Sequence, residues 1–315
     1  MTDGHRSRRA AVPWRLLIAT LVVELSIVAA LLVTHPWRAG VQARAVAVRT
    51  PVATTDRFDA ERAMELVRLQ LAAGPRPAGS AALAQVGDRL RALLPGGHFE
   101  VVPSSGAVHP LRNIVGELPG VGRAIVLGAH YDTQPYPPGF VGANDAAAAV
   151  ATVIEVASEL RREGRPEGAP PVRFVLFDGE ESPIEDDTDF YAHGLRGSKV
   201  YAAAHGSALR AMVLLDYVGN RRVQLPREAS SDPELWRRVR DAASRVGTKR
   251  VFPPTTEASI LDDHTPFLRA GVPAVDLIDW SYRPFDDDRD RYHRLSVSSV
   301  DAVGETMVEL LRSWH

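Results

Sequence analysis

Arg173 to Pro183 reads RFVLFDGEESP. Four apolar residues, Phe174, Val175, Leu176 and Phe177, run straight into Asp178, Gly179, Glu180 and Glu181. A short apolar run bounded by a turn signal suits a strand covered on both faces, as in a parallel sheet. Ligands of open α/β sheets bind just beyond the carboxyl ends of such strands. Two adjacent glutamates there have a chemical use: one can ligate a metal while the other moves a proton beside it. Taken alone, a glutamate pair is more often a solvated acidic turn, so the reading depends on the rest of the chain.

Strands and helices alternate around that stretch. Ala60, Ala63, Met64, Val67 and Leu71 recur at helical spacing, and Leu83, Val86, Leu90 and Leu93 repeat the pattern after a Gly/Pro turn at 74–80. Strands are expected over 99–102, 113–115, 124–129, 212–215 and 274–278. Helices are expected from Asn144-Asp145 to Leu160, over 198–205 and 233–246, around Phe267, and from 300 to 314. This alternation predicts an α/β fold, a single domain with a mostly parallel central sheet covered by helices on both faces. Acids and histidines then fall at strand ends: His130, Glu180 with Glu181, and Asp216. Asp145 opens a helix, and His293 follows the last strand.

The 315 residues are 45% hydrophobic and 24% charged, with a net charge of −2. No basic footprint suggests a nucleic-acid partner. Cysteine is absent, which is compatible with bacterial export and excludes thiolate zinc sites and cysteine nucleophiles. Any metal must be held by His, Asp and Glu. Residues 1–15 are basic, with Arg6, Arg8, Arg9 and Arg15. Residues 16–33 are almost wholly apolar, with Glu24 the one charge. That length is near the lower limit for a transmembrane span, and the basic flank places the N-terminus in the cytoplasm. The expectation is a signal anchor with the folded domain outside the cytoplasm. Cleavage near Ala29-Ala30 would instead give a secreted protein. Residues 34–56, with Pro36 and Pro51, read as a linker, and 57–315 as the folded domain.

Two imidazoles and three carboxylates, His130, Asp145, Glu181, Asp216 and His293, suit zinc. Each has a plain alternative; Asp145, for example, could be only a helix N-cap. Together, HYDT at 130–133, GAND at 142–145, DGEE at 178–181, LLDYVG at 214–219 and YH at 292–293 resemble the zinc-dependent aminopeptidase and glutaminyl cyclase superfamily, from about Arg57 to the C-terminus.

The resemblance implies one of two chemistries on peptide or protein N-termini. In the cyclase branch, Asp145, Glu181 and His293 would hold one zinc ion. Glu180 would shuttle the proton, and Asp216 and Asp262 would support the reacting amide. In the aminopeptidase branch, Asp145 would bridge two ions, with His130 and Asp216 completing a second site and Glu180 deprotonating water. FDGEE, DDHTPFLRAGVP at 262–273 and the long insert after Glu181 resemble cyclases more closely. A glutaminyl-peptide cyclotransferase is therefore expected, with a zinc aminopeptidase as the alternative and a non-catalytic receptor-like ectodomain as a remote third. Two departures bear on the substrate pocket: Ile184, Glu185 and Asp186 stand where cyclases carry an aromatic, and Tyr292 stands where they carry Trp.

Overall fold

The computed structural model describes residues 50–104 and 107–314. The expected basic segment, the signal anchor at 16–33 and most of the linker lie outside the described residues. Among the described residues no helix is long and apolar enough to cross a membrane.

The elements follow the alternation read from the sequence. Helix α1 (Ala60–Leu71) and α2 (Ala81–Leu93) precede strands β1 (His98–Val102), β2 (Leu111–Leu118) and β3 (Ala124–His130). Helix α3 (Ala149–Glu163) leads to β4 (Val172–Phe177), the short α4 (Phe190–His193) and α5 (Arg196–His205). Strand β5 (Leu209–Asp216), the two-residue β6 (Arg227–Glu228), α6 (Pro233–Arg245) and the two-residue β7 (Thr256–Glu257) come next. Helix α7 (Thr265–Arg269), β8 (Ala274–Ile278) and α8 (Val297–Arg312) complete the fold. Side chains of Asp59, Ser80 and Asp232 accept the free backbone N–H groups at the starts of α1, α2 and α6, which fixes where these helices begin.

The main sheet has the order β1-β2-β4-β3-β5-β8. Strands β4, β3, β5 and β8 pair in parallel, but β1 and β2 are antiparallel to their neighbours. The sheet is therefore mixed: its four-strand part is parallel as expected, and the β1-β2 edge is antiparallel. The cause lies in the connections. A parallel return needs a crossover of a dozen or more residues, and the segments 103–110 and 119–123 around β2 are too short for one.

Both faces of the sheet are buried, with period-2 alternation. Ile125, Leu127 and Ala129 of β3 and Phe174 and Leu176 of β4 join the core beneath α1, α2, α3, α6 and α8. Val126, Val175 and Phe177 join the smaller core beneath α5 and α7. The packed domain starts before Arg57: Thr54 N–H donates to Val246 O at 2.9 Å, and the Thr55 hydroxyl donates to Glu305 at 2.6 Å.

This arrangement gathers three strand ends on one edge. His130 closes β3, the acids 178–181 follow β4, and Asp216 closes β5. Asp145 arrives differently from the reading. The alanine-rich stretch does not start as a regular helix; it begins with a π-helical turn, Ala143–Ala148, within which Asp145 has non-helical angles of φ −111° and ψ 88°. Gly142 makes the turn possible. Its φ is +55°, and a Cβ there would stand 1.7 Å from the Asp145 carbonyl oxygen, so no other residue fits.

Candidate metal centre

His130 is the hub of the site. Its Nε2 lies 2.9 Å from Asp145 Oδ1 and 3.7 Å from Asp216 Oδ1. Donor atoms of His130, Asp145 and Asp216 all fall within 4.8 Å of one another, and so do those of His130, Glu180 and Glu181. Its Nδ1 faces Asp132 Oδ1 at 3.6 Å, beyond hydrogen-bond length. Asp132 also accepts the backbone N–H groups of Glu180, at 3.2 Å, and Glu181, at 3.3 Å. One carboxylate thus ties the imidazole to the glutamate turn, in the position of the outer partner that orients a metal-binding histidine. The HYDT signature contained Asp132, but its role emerges only from the fold.

Asp145 is held from both ends. Its backbone N–H, with that of Asn144, donates to Asp290 Oδ2 at 3.1 and 2.8 Å, and Asp290 Oδ1 accepts from the Tyr282 hydroxyl. On the side chain, the Tyr217 hydroxyl lies 2.7 Å from Asp145 Oδ2 and 3.0 Å from Asp286 Oδ1. Asp262 is buried on a loop and belongs to a second enclosed group with His264 and Asp276. Its Oδ1 accepts from the Asp263 N–H at 2.5 Å, whereas its Oδ2 has no hydrogen-bond partner.

His130, Asp145, Glu180, Glu181, Asp216 and Asp262 line a cavity of about 320 Å³ together with an apolar strip of Phe190, Ile260, Leu261, Trp280 and Phe285. That size suits a small side chain or peptide terminus. Phe190, further along the same insert, lines the cavity, and Phe285 stacks on Tyr217 at 4.2 Å. His293 is not brought to the site. It lies exposed on the turn Tyr292–Arg294 and belongs neither to the cavity wall nor to any His/Asp/Glu cluster among the described residues.

The electrostatics are those of carboxylates crowded out of water. Burial, then the charge on Glu181, pushes Glu180 well above the ordinary glutamate value. Burial, then Asp145, does the same to Glu181. Burial lifts Asp216 to about 8 with help from Asp262 and Asp145, against the hydrogen bond from His130. Burial draws His130 down, but Asp132, Asp145 and Asp216 outweigh it and raise the imidazole well above its usual range. Among the described residues no Lys or Arg forms an ion pair with Glu180, Glu181, Asp145 or Asp216. Buried acids that outnumber their one cationic neighbour, His130, are costly. A donor set of one imidazole and several carboxylates, already converged, fits a divalent ion of the zinc class.

A pH dependence follows for the metal-free protein. Unfolded aspartates titrate near 3.9, whereas folded Asp216 sits at about 8 and folded Asp290 at about 6, through burial and then Asp145. Between those values the folded chain binds more protons than the unfolded chain, so stability declines as pH rises. Calorimetry in chelator should show Tm falling from pH 5 to pH 8 by on the order of 10 °C, given roughly 2–4 °C per kcal/mol for a domain of this size. A flat or rising Tm across that window would contradict the charge crowding.

Residues 113–311 match Peptidase family M28. A glutaminyl-peptide cyclotransferase-like protein of Mus musculus is 30% identical over 238 residues, covering 64% of this chain and 62% of the mouse protein. The chain spans about three fifths of the length of the curated relatives it matches. A glutaminyl cyclase from an Acidobacteriales bacterium has a TM-score of 0.73 at 26% identity, over 82% of this chain and 95% of that one. A leucine aminopeptidase precursor from Bacteroides thetaiotaomicron, with a TM-score of 0.75 at 23% identity over 84% of this chain and 100% of that one, shares the fold.

Proposed function

Since the chain belongs to peptidase family M28, matched over residues 113–311, we propose that it is a zinc-dependent glutaminyl-peptide cyclotransferase, converting N-terminal glutamine to pyroglutamate. The observation that carries this reading is Asp262. It is buried on the cavity wall with Oδ2 unpartnered. That oxygen is an acceptor suited to the N–H₂ of a glutamine side-chain amide, which peptide-bond hydrolysis does not require. The similarity to the mouse and Acidobacteriales proteins points the same way.

In the proposed reaction the substrate's α-amine attacks its own γ-carbonyl carbon, and the bond from that carbon to the amide nitrogen breaks. The ring closes and ammonia leaves. Glu180 accepts a proton from the attacking amine and delivers one to the departing nitrogen. Its raised pKa suits both halves of that transfer. Asp262 orients the amide. The apolar strip from Phe190 to Trp280 excludes water that would otherwise compete with the amine. Asp145 and Glu181 would hold the zinc, which supplies Lewis-acid polarisation of the carbonyl oxygen. The segment 16–33 would hold this domain outside the cytoplasm.

A second reading, a zinc aminopeptidase, rests on His130, Asp145 and Asp216 forming a complete donor group of their own, as a second ion would need. A Gln-initiated peptide followed by mass spectrometry separates the two. Loss of one ammonia with no shortening is the expected result. Free glutamine and a shortened peptide would establish the peptidase instead.

A further inference from the structure

The turn at 292–294 explains why its histidine is exposed and off the cavity wall. Tyr292 packs against the larger core, and the Arg68 guanidinium lies over its ring, 4.6 Å from the centroid. That anchors Tyr292 and leaves His293 on the exposed side. The place beside Asp145 and Glu181 is taken by another residue of the same irregular stretch. Asp286 lines the catalytic cavity with both of them, and it also lines the neighbouring cavity that runs past Glu181 and Ser182.

Three contacts fix Asp286 there. Its Oδ1 accepts from the Tyr217 hydroxyl, and its backbone N–H points to the same oxygen at 3.3 Å. Phe285, the residue before it, stacks on the Tyr217 ring. The loop is closed by Asp287 N–H to Pro284 O, at 3.2 Å, and Asp290 N–H to Asp287 O, at 2.8 Å. Asp290 is also the acceptor that holds the backbone of Asp145, so one residue sets the positions of both carboxylates. The backbone at Asp286 is left-handed, φ 49°, which is uncommon outside glycine, although aspartate adopts it more readily than most residues.

The Tyr217 hydroxyl has one hydrogen and lies between two carboxylates. It can donate to only one of them at a time. The other is left facing an oxygen, an arrangement that a cation relieves. Asp286 is exposed at the cavity rim, yet its Oδ1 meets the Tyr217 hydroxyl at 3.0 Å and the residue lines the cavity wall.

We propose that Asp286, not His293, is the third protein ligand of the ion held by Asp145 and Glu181. This rests on the metal reading above. It makes the donor set of that ion entirely carboxylate, whereas a His in its place would give the softer mixed set that zinc favours.

The test is zinc affinity, measured on the full chain by competition with a chromophoric chelator, with bound metal counted by elemental analysis. Replacing Asp286 by Ala or by the isosteric Asn should weaken zinc binding by on the order of 1,000-fold, beyond the 10–100-fold range for groups that only orient a ligand. D286H should restore or exceed wild-type affinity, and H293A should leave it unchanged. In cobalt-loaded protein, D286H should shift the visible absorption, because nitrogen replaces oxygen at the metal. Zinc retained by D286A and D286N, or lost in H293A, overturns the proposal while leaving the metal reading intact. A wild-type chain that takes up no zinc overturns both.

Discussion

Changing Glu180 to Gln lowers the rate of pyroglutamate formation by about 10²–10⁴-fold, the usual contribution of a positioned proton-transfer group, with zinc content unchanged. Two features of the site require this. Glu180 is buried, and its side chain is in no described ion pair or hydrogen bond, so it does no visible structural work. Its backbone N–H, which a Gln would keep, is the part tied to Asp132. The variant should therefore fold and load metal normally, and the loss should appear in kcat rather than KM. The acidic limb of the pH–rate profile should vanish along with most of the rate, since that limb reports ionisation of the catalytic base. Wild-type turnover in E180Q, or loss of zinc with loss of rate, would remove Glu180 from the role assigned to it.

Glu180 was accessible from sequence because its position follows from a local pattern. A run of buried β residues ended by a turn puts its last residues at the sheet edge, and β3 and β5 end in the same way on His130 and Asp216. What local pattern cannot encode is which strands pair, and in which direction. The apolar core of β2 looks like that of β3, yet short connections force it antiparallel. Asp145 illustrates a second limit. Alanine propensity favours helix from the outset, but the carboxylate is presented by a turn whose backbone departs from helix at that residue.

Asp286 shows the third limit. In a stretch reading FDDDRDRYH there is no periodicity to set a register. Three adjacent aspartates look like solvated surface, and the histidine draws attention as the better zinc ligand. Asp287 and Asp288 do behave as surface: Asp287 pairs with Arg289 at the exposed loop. Only packing separates Asp286 from them, through the stacking of Phe285 on Tyr217 and the hydroxyl that Tyr217 extends between two acids. Asp290, four residues on, is likewise identified by what it accepts, the backbone of Asp145.

Changing Asp145 to Asn should abolish both zinc retention and cyclisation, the latter by about 10³-fold or more, while leaving the metal-free protein no less stable. Asp145 is the residue from which the donor groups radiate: His130 Nε2 at 2.9 Å on one oxygen and the Tyr217 hydroxyl at 2.7 Å on the other. Its negative charge is also among the influences that raise Glu181, Asp216, Asp286 and Asp290. In the absence of metal that charge is a liability, and Asn removes it while preserving shape and one acceptor. The two consequences separate in calorimetry. Wild-type protein at a zinc concentration near 100 times its Kd should gain about 2.7 kcal/mol, or roughly 5–10 °C in Tm. D145N should start at or above the metal-free wild-type Tm and gain nothing from zinc. A metal-free D145N that melts well below the wild type would mean that Asp145 is chiefly structural. A zinc-induced rise equal to that of the wild type would mean that the ion is held elsewhere. The expected pattern, equal or better folding with no response to metal, is that of a residue kept for chemistry at a cost in stability.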